Sequence, residues 1–179
     1  MQSPFEIIAD EFERASIRYL LVGGHAVNQY AESRHTVDID VAIHEADLPR
    51  VLPLMKRHGY EDIENMSSFT RLRHESRRLP DIDLMLLDEE TFSKLLAEAA
   101  TVKFTGRSLL VPAMMHLIAM KLHALKNNPR RENKDLLDIV SMCEQNDVDV
   151  EDEGFRATCI KFGGVDGYEK VRMRIQSRG

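Results

Sequence analysis

Cysteine is nearly missing from this chain. Two occur in 179 residues, Cys143 and Cys159, at a spacing that matches neither a metal-binding nor a redox motif. That excludes a disulfide framework and suits a reducing compartment, so a cytoplasmic location is expected. Long apolar runs are missing too: none approaches the ~20 residues of a membrane span, so no membrane partner is expected. The opening MQSPFEIIADEFER is acidic and amphipathic, which is not the pattern of a secretory signal. An excess of positive charge is also absent. Lys and Arg number 24 against 30 Asp and Glu, a net charge of −6. A field that coats nucleic acid is thereby excluded, and any nucleic-acid contact must be a local patch. There is no internal repeat and no low-complexity linker. What is present is ordinary for a globular chain, 43% hydrophobic and 30% charged, and long enough for one domain with a core or one domain plus a small appendage.

Ser3-Pro4-Phe5-Glu6 predicts a helix start with a capping box, and Phe5, Ile8, Phe12 and Ala15 continue at helical spacing. Arg18 to Val22 predicts a short strand running into Gly23-Gly24, followed by a helix over His25 to Ala31. Thr36 to Ile43, TVDIDVAI, predicts a second strand. Asp47 to His58 predicts a helix closed by Gly59, with Pro53 as an internal irregularity. Ser68 to His74 and Asp81 to Leu87 predict a pair of strands. Asp88 then caps a helix to about Ala100, and Leu109 to Val111 predicts an edge strand ended by Pro112. From there the pattern is helical: Ala113 to Lys126, Glu132 to Gln145, and short helices after Gly154 and Gly164. The composition shift near Pro112 predicts a mixed core over 1–111 and a helical region over 112–179.

The chemistry concentrates at carboxylates. Asp38 and Asp40 stand two apart in a predicted strand, so they share a face, with Val37, Ile39 and Val41 on the other. Paired carboxylates repel and are costly to bury, and a hard divalent cation such as Mg²⁺ removes that cost. Gly23-Gly24, at a strand end, lets backbone approach a ligand closely and opens a helix toward an anion. A second pair, Asp81 and Asp83, sits in a later strand, with Asp83 deeper and able to complete a cation cage. Lys121 lies amid the apolar run Ala113 to Leu125, where it must either snorkel out or meet a negative partner. Asp135 and Asp138 stand three apart and share a helix face. Arg71, Arg73, Arg77 and Arg78 lie between two strands, as a solvated hairpin or as a basic rim suited to an RNA backbone. Arg34 and Thr36, just before the carboxylates, would touch phosphate or cap the strand.

In order, Val22-Gly23-Gly24, then Val37-Asp38-Ile39-Asp40-Val41 beginning its aspartates fourteen positions after Gly24, then Ile82-Asp83-Leu84, resembles the nucleotidyltransferase fold of the DNA polymerase beta superfamily. The tail, with Lys121, Ala124, Arg130, Lys134, Asp135 and Asp138, resembles that of the AbiEii-like abortive-infection nucleotidyltransferase toxins of toxin–antitoxin systems. The resemblance spans roughly Tyr19 to Ile139. It implies an α+β fold: a nucleotidyltransferase core, a mixed sheet flanked by helices, with a C-terminal helical tail. It implies two Mg²⁺ ions on Asp38, Asp40 and Asp83, a nucleoside triphosphate against Gly23, Gly24, Thr36 and Lys121, and Asp135 near the reacting centre. Asp138 is the structural member of the pair, matched to a tail arginine. A tRNA end is one acceptor known in that group, and a cognate antitoxin is an implied partner. Many members carry Ser where this chain has Gly24, which leaves only backbone donors there. An antibiotic-modifying or protein-modifying nucleotidyltransferase, or an inert nucleotide- or partner-binding module, are the alternatives.

Overall fold

The computed structural model of the chain describes residues 2–177. Contacts gather into two compact units. The first holds the segment up to Ala26 together with His35–Ala113, and the second holds Val27–Arg34 and the segment from Met114 onward. Among the described residues no helix is long and apolar enough to cross a membrane.

The first unit is built on a five-stranded mixed sheet in the order β1-β2-β5-β4-β3. Its strands are β1 (Tyr19–Leu21), β2 (Ile39–His44), β3 (Tyr60–Met66), β4 (Phe69–His74) and β5 (Ile82–Leu87). Only β2 and β5 run parallel, and their neighbours are antiparallel. Both central strands are apolar on both faces once past their first residues. Val41, Ala42 and Ile43 are fully buried, as are Ile82 and Leu84, as expected of paired strands covered from two sides. Helix α1 (Pro4–Arg14) starts as its sequence dictates: Ser3 accepts from the Glu6 N–H and Glu6 accepts from the Ser3 N–H. Helix α3 (Leu48–Arg57) runs through Pro53. A hairpin of β6 (Ala100–Phe104) and β7 (Arg107–Val111) follows α4 (Glu89–Ala97). It turns on Thr105 and Gly106, both at positive φ, as a tight two-residue turn requires.

The second unit carries α5 (Met114–Asn127), α6 (Glu132–Gln145) and α7 (Glu153–Gln176). Gly164, at φ 74 and ψ 174, breaks α7 into two helices across a kink, so the two short helices expected there meet end to end.

Three expectations are corrected, and one strand is added. The strand expected from Thr36 begins at Ile39, because β1 pairs only as far as Val41 and β5 begins opposite Ile39, which leaves Thr36, Val37 and Asp38 without strand partners. The helix expected over 25–31 is α2 (Gly23–Val27), a single turn. Asn28 beyond it exchanges side-chain hydrogen bonds with the Arg34 backbone, and that local pairing competes with continued helix. The helix expected to reach Ala100 stops at Ala97, and β6 replaces its end. Finally β3, with the acidic sequence YEDIENM, was not expected as a strand at all. It is an outer strand, mostly exposed, and owes its form to pairing with β4.

Candidate active site

Strand directions bring the predicted carboxylates to one end of the sheet. β1 is antiparallel to β2, so the end of β1 lies beside the start of β2, and Val22 N–H donates to the Asp40 carbonyl at 2.9 Å. β2 and β5 are parallel and in register, which sets Asp40 opposite Asp83. β4 is antiparallel to β5 and sets Arg71 opposite Asp83. Opposed residues on neighbouring strands project from the same face. Asp40, Asp83 and Arg71 therefore share one face at one end. Asp38 occupies the exposed bend just before β2, where the next residue, Ile39, donates its N–H to the Asp81 carbonyl at 3.0 Å. Its charge still reaches the site, acting on the Arg71 guanidinium.

Gly23 lies directly against the Asp40 side chain. Its φ is +60, and a Cβ placed there would stand 1.9 Å from Asp40 Oδ2 and 2.4 Å from its Cγ. Both the backbone and the carboxylate thus demand glycine. Gly24 follows, buried, in the single turn α2, and Thr36 is half-buried in the irregular segment before β2.

The residue that sequence reasoning did not place is Arg71. Its Nε and Nη2 donate to the two Asp83 oxygens, each at 2.7 Å, and its guanidinium lies 5.5 Å from the Phe69 ring centre. Hydrogen bonding to Asp83, reinforced by the charges of Asp83, Asp38 and Glu64, outweighs burial and makes this guanidinium harder to deprotonate than usual. Arg73 pairs likewise with Asp81 at 2.8 Å. This bears on the two readings of the four arginines, a solvated hairpin or a basic rim. Two of the four are spent on carboxylates, and only Arg77 and Arg78 stand in the exposed turn. A signal was available: R-x-R and D-x-D sit symmetrically about residue 77, so an antiparallel hairpin turning there pairs Arg71 with Asp83 and Arg73 with Asp81.

Among the described residues no group of three or more His, Cys, Asp or Glu is gathered closely enough to hold a metal ion as the side chains stand. The donor chemistry nevertheless fits a hard divalent cation, with the carboxylates of Asp40 and Asp83 in register at the starts of two adjacent strands. Both Asp83 oxygens are engaged by Arg71.

The second unit assembles the remaining predicted residues. Lys121 on α5 is buried and does not snorkel. Its Nζ meets Asp135 Oδ1 at 2.8 Å and Asp138 Oδ2 at 2.7 Å, both on α6. Arg131 donates to the second Asp135 oxygen at 3.1 Å. The arginine that pairs with Asp138 is Arg34, bidentate at 2.6 and 2.8 Å, rather than a tail arginine. Arg34 thereby fastens the 27–34 segment to α6 instead of capping a strand. Burial alone would raise the Asp138 carboxyl, but the Arg34 and Lys121 bonds outweigh it and hold it below the usual range.

The sequence profile of a family described as "Uncharacterised nucleotidyltransferase" matches residues 2–164. No curated protein matches the sequence. Among solved structures the chain is similar to the antibiotic-resistance factor ANT(2'')-Ia in complex with adenylyl-2''-tobramycin, at 12% identity and TM-score 0.63, covering 97% of this chain and 95% of that one. It is also similar to an antigenic nucleotidyltransferase-like protein from Paracoccidioides brasiliensis, at 16% identity and TM-score 0.58, covering 97% and 94%. The lincosamide antibiotic adenylyltransferase LnuA, lincomycin-bound, aligns at 17% identity and TM-score 0.56, covering 77% and 93%. At these identities the likeness concerns the fold.

Proposed function

The chain belongs to this nucleotidyltransferase family, and from that premise we propose that it moves a nucleoside monophosphate from a nucleoside triphosphate to an acceptor hydroxyl. The observation that carries the proposal is the register of Asp40 against Asp83 beside a glycine whose missing side chain makes room for the Asp40 carboxylate.

Asp38 and Asp40 would hold one Mg²⁺, and Asp83 would share in a second. Ions bound there supply charge neutralisation on the phosphates and lower the pKa of the acceptor hydroxyl. The chain's own part is placement. β2 is paired on both sides, so the Asp40 carboxylate starts from a rigid backbone. By the family resemblance the triphosphate would lie against Gly23, Gly24 and Thr36, where only backbone groups and the Thr36 hydroxyl are on offer. The acceptor oxygen attacks the α-phosphorus, the bond from that phosphorus to the bridging oxygen breaks, and pyrophosphate leaves. The toxin resemblance sets Lys121 at the phosphates and Asp135 near the reacting centre. Their burial against each other supports an indirect role, anchoring segment 27–34 through Asp138 and Arg34.

By that resemblance the acceptor is a tRNA end and the enzyme a toxin with a cognate antitoxin. A second reading, a small hydroxylated acceptor, is favoured by the engagement of Arg71 and Arg73, which leaves little basic rim for an RNA backbone. The test is incubation with each labelled triphosphate, Mg²⁺ and, separately, total RNA, aminoglycosides and lincosamides, and a protein extract. Label on tRNA supports the first reading and label on a drug the second. No transfer anywhere, with Asp40→Asn indistinguishable from the parent, leaves the inert binding module.

A further inference from the structure

Asp83 is 8% exposed and faces Asp40 across the β2–β5 ladder. Two carboxylates so placed repel unless a cation stands between or beside them. The described structure supplies that cation from the chain itself. Arg71 spends two guanidinium nitrogens on the two Asp83 oxygens, rests against Phe69, and feels the charge of Asp38 and Glu64.

We propose that Arg71 is a built-in occupant of the second ion position, so that the chain alone accepts one divalent ion and takes a second only when a triphosphate draws the guanidinium away. This rests on the reading of Asp38, Asp40 and Asp83 as ion ligands. The physical basis is competition. A guanidinium and a divalent ion seek the same oxygens, and two positive groups in one small site repel. Arg71 is also suited to the exchange, because a phosphate offers its planar fork the same bidentate acceptor geometry as a carboxylate. Its side chain is 33% exposed, so it leaves Asp83 without disturbing the core. The consequence is ordered loading: the reaction centre completes itself only after the nucleotide has arrived. Arg71 is in this sense a positioning residue, acting on the reaction through Asp83.

The test is Mn²⁺ binding to the full chain without nucleotide, followed by the electron paramagnetic resonance signal of the free ion. The parent is expected to bind one ion per chain. Arg71→Gln should bind two, with the second at least about tenfold tighter than in the parent. Arg71→Lys should fall between, since an ammonium is a point charge and holds the carboxylate less completely; it also serves if Arg71→Gln folds poorly by circular dichroism. Adding Asp83→Asn to Arg71→Gln should return the count to one. Two ions on the parent, or equal counts and affinities in parent, Arg71→Gln and Arg71→Lys, overturn the inference alone. Failure of every form to bind Mn²⁺ removes the ion-ligand reading and the inference together.

Discussion

Replacing Gly23 by Ala separates two costs that usually arrive together. Gly23 and Gly106 both hold positive φ, +60 and +83. An alanine at Gly106 would meet nothing within 4 Å, so it should cost only the left-handed backbone, about 1–2 kcal/mol. An alanine at Gly23 carries the same strain and also drives its methyl into the Asp40 carboxylate, since the Cβ position lies 1.9 Å from Oδ2 and 2.7 Å from the Asp40 Cβ. The Asp40 backbone cannot retreat, held by the Val22 N–H on one side and by β5 on the other. Overpacking of this kind adds about 1–3 kcal/mol, so Gly23→Ala should lose about 2–5 kcal/mol in all. In a chain of this size each kcal/mol lowers the melting temperature by about 2–4 °C. The functional loss should exceed the stability loss, because a carboxylate displaced by about 1 Å costs roughly a hundredfold in rate. Urea unfolding of both variants, with Mn²⁺ binding and nucleotidyl transfer measured below the unfolding range, checks this. Equal destabilisation by the two substitutions, with transfer by Gly23→Ala at the parent rate, would refute the close approach of Gly23 and Asp40.

Lys121→Met leaves Asp135 and Asp138 buried without their shared cation, and should cost about 3–5 kcal/mol in urea unfolding; a loss below about 1 kcal/mol would mean that other cations replace it. Asp138 has a folded-state pKa held below its ordinary value of 3.8, so the stability it contributes is full above that value and is lost as pH falls through the folded-state value. Asp138→Asn should therefore melt well below the parent at pH 7, and the gap should close as the pH falls below about 3.8; a constant gap from pH 7 to pH 3 contradicts the pairing. A Cβ at Gly163 would stand 2.9 Å from Leu122 Cδ2. Gly163→Val should cost about 1–3 kcal/mol, and Leu122→Ala in the same chain should recover part of it rather than add its own full penalty. Strict additivity in thermal melts would show that the two sites do not touch.

Local pattern carried much of this protein. The Ser3 cap, the apolar character of β2 and β5, the glycine bend and the two D-x-D pairs could all be read from neighbouring residues, because side-chain alternation and left-handed glycine are local properties. The α+β class and the family resemblance followed from those same short stretches. Length of elements was less legible. β3 and β6 have sequences that make strands only when a partner supplies the other half of the ladder, as strand preference depends on context. What tertiary structure alone decided is which charge meets which. Arg71 finds Asp83 through the register of β4 on β5, and Arg34 finds Asp138 across 104 residues of chain. Alternation says which way a side chain points, but the identity of its neighbour depends on register and long-range pairing, and no window of sequence contains that information.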